Sequence, residues 1–287
     1  TENYTKGDLL EYYRAIAPWL LPYLRDRPVM LTRYPDGIDG KSFFQKDAPE
    51  WTPAWIRTEA LWSQDTARDV HHFVIDDVES LLYVVNMGTI PLHIWGSRIA
   101  TLERPDWCIL DLDPKSAPFT DVVKVARAAR KLCDEIALPS FVKTSGGSGI
   151  HVLIPLARLC TYEQCRQLGQ LLAGVIVSRV PAIATVERTV AARGGRVYVD
   201  FLQNGMGKTL AAPLSARPVP GARVSMPLEW KEVTARLDAS RFTIATALAR
   251  MTRLGEDPFA AVLTTTPDLA AALAALHELL DRAPHES

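Results

Sequence analysis

Residues 108–114, Cys-Ile-Leu-Asp-Leu-Asp-Pro, set two carboxylates two positions apart in an otherwise apolar run. On a strand such a pair shares one face with Cα atoms about 6.6 Å apart, so Asp111 and Asp113 can converge on a common ion. Two anions in apolar surroundings repel and are costly to desolvate unless a cation or hydrogen bonds compensate them, and a hard divalent metal is the simplest compensation. Pro114 stops strand pairing and places the pair at a strand end, where a cleft can begin. The bare motif equally admits a water-exposed strand end with Asp113 capping the next turn. A further acid, Asp200, lies in the apolar run 196–202, Arg-Val-Tyr-Val-Asp-Phe-Leu. Three carboxylates from two strands suit a two-metal site, whose ions stand about 3.5 to 4 Å apart on the attacking and leaving oxygens of an in-line phosphoryl displacement. Taken alone, Asp200 is equally an edge-strand charge.

Residues 143–151, Lys-Thr-Ser-Gly-Gly-Ser-Gly-Ile-His, lie between two strand patterns. Their glycines permit a tight turn and leave backbone N–H groups uncovered, a nest suited to phosphate oxygens. Ser145 and Ser148 add hydroxyl donors, and His151 on the following strand can donate to a triphosphate. An ordinary hairpin turn with a satisfied core histidine fits the same residues. The segment Gly205-Met-Gly-Lys-Thr209 approaches a Walker A loop, but residue 202 is Leu where that pattern needs Gly, which excludes the ATPase reading.

The elements that must position these groups follow from periodicity and turn residues. Helical spacing runs from Leu9 to Leu24, Val78 to Met87, Thr120 to Ile136, Tyr162 to Val180 and near Trp230 to Leu237. Strands are expected at Val29 to Tyr34, His72 to Ile75, Cys108 to Asp113, Ser140 to Thr144, His151 to Pro155 and Arg196 to Leu202. Residues 40–57, rich in aromatics and prolines, read as a loop, and the Ala/Leu-rich stretch from Pro267 to Leu280 as a packing helix. Strands and helices are mixed without an internal repeat, which predicts one compact α/β (α+β) domain over residues 1–287, with a looser C-terminal helix at 267–281.

Composition narrows the function classes. With 287 residues, 48% apolar residues and a formal net charge of −1, the chain has ample material for a core and is not a basic histone-like tail binder. The charge is uneven, since residues 187–223 hold six basic side chains against two acids, so a local polyanion site is compatible with a neutral total. Neither a membrane span nor a secretory leader is legible, and the four cysteines form no Cys-x-x-Cys pair, which points to a soluble protein of the reducing cytoplasm.

Six colinear blocks cover nearly the whole chain: LLEYYRAIAPWLLPYLRDRPVMLTRYPDGIDGKSFFQKDAP, PLHIWGSR, ERPDWCILDLDP, FVKTSGGSGIHVLIPL, RGGRVYVDFLQNGMGKTLAAP and SARPVPGARVSMPLEW. Together they resemble the polymerase domain of bacterial ATP-dependent DNA ligase D, of the archaeo-eukaryotic primase superfamily used in non-homologous end joining. The resemblance implies a primase-polymerase-type domain with a central mixed or antiparallel sheet flanked by helices. It also implies a template-directed nucleotidyltransferase that fills gaps and extends DNA ends, favouring ribonucleotides, with Mn2+ or Mg2+ in a two-ion site and a nucleoside triphosphate as substrate. By position, Asp111, Asp113 and Asp200 match the metal triad. Ser145, Ser148, His151, Arg217 and His93 match triphosphate or nucleotide contacts, and Arg193 and Gln203 support the metal site or the nucleotide. Phe43 and Phe44 match an aromatic pair that stacks on the template, and their position beside Lys41 and Lys46 agrees with base stacking and phosphate neutralisation. Lys6 and Lys46 are the candidates for gripping a 5′-phosphate. Ku and a DNA ligase are the implied partners, at the bacterial nucleoid, with no membrane.

The chain departs from the family pattern at Ser148, where Lys is common, and at Pro91, where Glu is common, while Leu214-Ser-Ala-Arg217 keeps the usual Arg. Two rivals follow. A haloacid-dehalogenase-type phosphatase also uses Asp-x-Asp after an apolar strand, but here Pro114-Lys115 follows and the adjacent pair Asp76-Asp77 precedes the motif. A catalytically weak DNA-end bridging module would keep the aromatics and the basic face; intact Asp111, Asp113 and Asp200 argue against it, while Ser148 argues slightly for it.

Overall fold

The computed structural model describes residues 3–64 and 66–281, so the expected chain ends at residues 1–2 and 282–287 lie outside the described residues. In chain order the elements begin with α1 (Lys6–Leu24), β1 (Pro28–Arg33), β2 (Phe43–Gln45), β3 (Thr58–Ser63), β4 (Arg68–Val74), α2 (Val78–Asn86) and β5 (Thr89–Trp95). Then follow β6 (Trp107–Asp113), α3 (Phe119–Glu135), β7 (Phe141–Thr144), β8 (Ile150–Pro155), α4 (Tyr162–Arg179), β9 (Ala184–Thr185) and β10 (Val197–Asp200). The chain continues through β11 (Thr209–Ala211), β12 (Pro227–Leu228), α5 (Ile244–Leu254) and α6 (Leu269–Asp281).

The expected mixing of helices and strands holds, and the strands divide between two sheets. The first has the order β11-β5-β1-β4-β3, with β2 also paired to β1, and its pairings are all antiparallel. The second has the order β12-β7-β8-β6-β10-β9, antiparallel except for β9 on β10. Helices α3 and α4 cover one face of the second sheet, where Cys108, Leu110 and Leu112 of β6 are fully buried. Period-two alternation then sends Asp111 and Asp113 to the opposite face.

A buried charge cluster ties the two sheets together. Arg27 is fully buried, donates to the carbonyls of Trp95 (3.3 Å) and Gly96 (2.9 Å) at the end of β5, and pairs with Asp106 just before β6. Its guanidinium also lies 4.2 Å from the Trp107 ring centroid. Asp106 receives Arg98 at 3.0 Å as well, so the buried anion is well supplied with donors.

Several elements differ from the expectation for local reasons. Helix α1 starts three residues earlier because Thr5 and Asp8 form a capping box. Strand β2 forms inside the expected loop, pairing with β1 from Leu31 to Arg33. Strands β3, β5 and β11 were not anticipated, and in β5 the proline at 91 falls where the register against β1 shifts, so its missing N–H is tolerated. Strand β10 ends at Asp200 rather than Leu202, because the Asp200 carboxylate turns the chain by accepting the Leu202 N–H at 2.8 Å. The helix expected near 230–237 is one 3-10 turn, Trp230–Glu232, and α5 follows it unanticipated. Helix α6 buries only Ala272 and Leu276. No helix among the described residues is long and apolar enough to cross a membrane.

Candidate active site

The register of the second sheet builds a row of charged groups. Asp111 on β6 pairs with Asp200 of β10 on one side and with His151 of β8 on the other, and His151 pairs in turn with Lys143 of β7. Directly opposed residues share a face, so Asp200, Asp111, His151 and Lys143 run side by side across four strands. Asp113 is two residues along the same face.

The three carboxylates are not equally compensated. Asp113 accepts Arg193 Nη1 at 2.9 Å and the Lys115 N–H at 3.1 Å. Asp200 accepts Gln203 Nε2 at 3.0 Å, the Leu202 N–H at 2.8 Å and the Tyr198 hydroxyl at 3.2 Å. Asp111 has His151 Nε2 at 3.4 Å and a side chain only 28% exposed. Burial, then Asp200 and Asp113, push its carboxyl up to about 7. Hard oxygen donors on one face, with an electrostatic deficit at the middle one, fit a divalent cation. Among the described residues no group of three or more such side chains is closed around one point, and Asp113 and Asp200 have hydrogen-bond partners of their own.

The Gly-rich turn between β7 and β8 is packed against this row. Gly146 has φ +73°, and a Cβ there would stand 2.5 Å from Arg217 Cγ, while one on Gly149 would stand 2.4 Å from the Leu112 carbonyl oxygen. The expectation that the turn leaves its N–H groups uncovered needs correction. Ser145 Oγ accepts the N–H of Gly147 at 3.1 Å and of Gly149 at 3.0 Å. These groups are spent on shaping the turn, and what Ser145 retains is its own hydroxyl proton to donate. Ser148 is exposed at the tip, and Arg223 donates to the neighbouring Gly147 carbonyl at 3.3 Å.

From the first sheet His93 on β5 faces the row, with Arg217 between them. Arg217 Nη1 is 3.4 Å from His93 Nε2. Ser215 Oγ accepts the Leu92 N–H at 2.9 Å, which anchors the segment carrying Arg217 to β5. Burial, then Arg217 and Lys143, drive His93 down to about 3. Burial, then Lys143, Arg217 and His93, hold His151 well below the ordinary histidine range. These shifts favour the neutral form of both rings, and His93 Nε2, facing the donor-only Arg217 guanidinium, is the acceptor of that contact.

The aromatic pair lies on an edge of the first sheet. Phe43 and Phe44 are 46% and 69% exposed, so neither is a core side chain. They do not form one platform. Arg33 pairs with Phe43 and Thr32 with Phe44, so the two rings project to opposite faces. Phe43 lies under the Arg33 guanidinium, 5.3 Å from ring centroid to Cζ. Arg33 also holds the Met87 carbonyl at 2.8 Å, and Lys6 holds the adjacent Asn86 carbonyl at 3.3 Å, which brings Lys6 to the Phe43 side. Lys46 is exposed one residue beyond β2. Trp51, Trp55 and Trp62 are also exposed around this sheet, and the sequence reading did not single them out. Nor did it rank Lys143 or Ser225 as site residues, although a lysine inside Phe-Val-Lys-Thr was a legible anomaly.

The phosphatase rival loses its second acidic site here. Asp76 accepts the Asp26 N–H at 2.7 Å and Asp77 caps α2 through the Ser80 N–H, both in structural roles. Two crevices of about 280 and 590 Å3, one between α4 and α6 and one beside Trp230, contain none of the residues above.

Comparison with known proteins shows the family. Residues 5–259 match the family model described as the LigD primase-polymerase domain. The chain is 34% identical over 253 residues to the bifunctional non-homologous end joining protein LigD of Bacillus subtilis (strain 168), covering 88% of this chain and 40% of that protein. It is 34% identical over 274 residues to the multifunctional non-homologous end joining protein LigD of Pseudomonas aeruginosa, covering 94% and 32%. The chain thus spans about a third to two-fifths of the length of these curated relatives. Among solved structures, the polymerase domain from Mycobacterium tuberculosis ligase D in complex with DNA matches with a TM-score of 0.82 at 26% identity, covering 90% of this chain and 92% of that one.

Proposed function

Because the chain belongs to the LigD primase-polymerase domain family, we propose that it is a metal-dependent nucleotidyltransferase that copies a template to fill gaps and extend DNA ends in non-homologous end joining, favouring ribonucleotides. The observation that carries this reading is the row Asp200-Asp111-His151-Lys143, an acidic end grading into a basic end on one face, with Arg217 and His93 opposite.

Asp111, Asp113 and Asp200 would hold the divalent ions, Mn2+ or Mg2+, which lower the pKa of the primer 3′ hydroxyl and offset charge on the transferred α-phosphate. The remaining chemistry belongs to the protein. Arg217 supplies fixed positive charge to the triphosphate, His93 steadies Arg217 by accepting from its Nη1, and His151 and Ser145 offer neutral donors to the phosphate oxygens, with Ser148 at the turn tip adding no charge. Gln203 orients Asp200, and Arg193 pairs with Asp113. In this reading no covalent enzyme intermediate is needed, because fixed charges and donors stabilise the pentacoordinate phosphate.

Phe44, on the Thr32 face, is the ring assigned to stack on a template base, while Phe43, Lys6 and Lys46 line the edge that meets the backbone and a 5′-phosphate. Ku and a ligase module are the proposed partners, at the bacterial nucleoid, with residues 1–287 acting as one catalytic unit.

The test is template-directed extension of a gapped duplex bearing a 5′-phosphate, with Mn2+ and either ribo- or deoxyribonucleotides. The expected result is addition of the complementary nucleotide, faster with the ribo form and abolished by chelation. Tight binding with no addition under any divalent ion would overturn the polymerase reading and leave an end-bridging module, consistent with the missing charge at Ser148.

A further inference from the structure

Lys143 is fully buried and stands directly opposite His151 in the strand register. Burial, then Arg217, lower its pKa well below the usual lysine value, while Asp111 favours its charged form; in that ammonium form it carries three donors and no lone pair, and spends its protons internally. Its Nζ lies 2.5 Å from Ser225 Oγ and 2.9 Å from His151 Nδ1. Ser225 sends its own hydroxyl proton to the Thr144 carbonyl at 3.0 Å, so its oxygen accepts from Lys143. With Lys143 as an ammonium, the same counting sets the imidazole. If Nδ1 accepts from Nζ, a neutral ring carries its proton on Nε2, and Nε2 is the atom on the cleft side, 3.4 Å from Asp111 Oδ1.

We propose that Lys143 is a positioning residue that holds His151 in the Nε2–H form, so that the ring offers the incoming triphosphate a donor and never a lone pair. The proposal rests on the nucleotidyltransferase reading, in which His151 meets phosphate oxygens. A chain of hydrogen bonds then runs from the Thr144 carbonyl through Ser225 and Lys143 to the ring, which fixes both its proton and its tilt. With the ring free to take the Nδ1–H form, a nitrogen lone pair would face phosphate oxygen, which is repulsive. The lysine acts through the histidine and stays out of reach of the substrate, because no part of it is exposed.

The experiment uses metal-free protein labelled with 15N-histidine, with the His151 signals identified by their absence in His151→Gln. Long-range 1H–15N spectra of the wild type should show an unprotonated, hydrogen-bonded Nδ1 and a protonated Nε2. In Lys143→Met, close in shape but without donors, the hydrogen-bond shift at Nδ1 should vanish. The nucleotide KM should then rise about tenfold with a smaller change in kcat, the value of one lost charged hydrogen bond. A wild-type ring protonated on Nδ1 overturns the proposal without any variant having to fold. Unchanged Nδ1 signal and KM in Lys143→Met overturns it as well. The polymerase reading fails separately, by absent extension in the wild type, and that result would remove the proposed role of the tautomer whatever the spectrum shows.

Discussion

In the proposed reading the two sheets hold their candidate residues in opposite surroundings. The second sheet gathers Asp111, Asp113, Asp200, His151 and Lys143 on one face, with the two basic side chains buried and the three carboxylates half-buried. The first sheet presents Phe43, Phe44, Lys46 and Lys6 at an edge, where the rings are open to solvent. Charges that stabilise a reaction gain from low dielectric and fixed geometry, and they cost folding energy, as the raised Asp111 carboxyl records. Contacts that hold a polyanion of any sequence need reach and tolerance, and they remain sensitive to salt. Chemistry and grip are thus separable by mutation.

The largest expected effect is on rate. Asp200→Ala should lower extension by about 10³-fold, as expected for loss of a preorganised charge at the reacting centre, while DNA affinity stays within about twofold. Asp111→Asn should lower the rate similarly and raise the melting temperature of the metal-free protein, because it removes a desolvated anion beside two like charges. A fall in melting temperature would break the contrast drawn between the sheets.

The seam between the sheets comes next. Asp106→Ala leaves Arg27 buried and unpaired, and denaturant unfolding should report a loss of about 3 to 5 kcal/mol. A smaller test sharpens the role of the aromatic edge. Phe44→Ala should weaken binding of a template overhang by about 1 to 3 kcal/mol, and Phe43→Ala by less, since Phe43 is stacked under Arg33 on the other face. Equal losses would restore a shared platform. Smallest of all, Lys46→Ala should reduce the slope of log affinity against log salt by about one unit, with little change in kcat.

The second sheet was far more legible in the sequence than the first. Asp-x-Asp before a proline and an acid ending an apolar run are local signals, and β6, β8 and most helices followed from them and from periodicity. What was missed depends on pairing between distant segments. Strand β2 exists because β1 offers it a partner, and nothing within Phe-Phe-Gln says so. The separation of Phe43 from Phe44 follows from that same pairing. The Gly-rich turn was legible as a turn, but whether its N–H groups face a ligand or the hydroxyl of Ser145 is a matter of side-chain rotamer. Lys143 is a lysine inside an apolar strand, and its contact with Ser225, 82 residues away, depends on the fold.

One comparison tests the separation most directly: DNA affinity and single-turnover extension measured on the same gapped, 5′-phosphorylated duplex for Asp111→Ala beside Phe44→Ala. The account predicts that Asp111→Ala binds like the wild type and extends nothing, whereas Phe44→Ala binds weakly and regains most of its rate at saturating DNA. If Asp111→Ala loses its grip on DNA, or Phe44→Ala stays slow at saturation, the two sheets do not divide the work and the account is wrong.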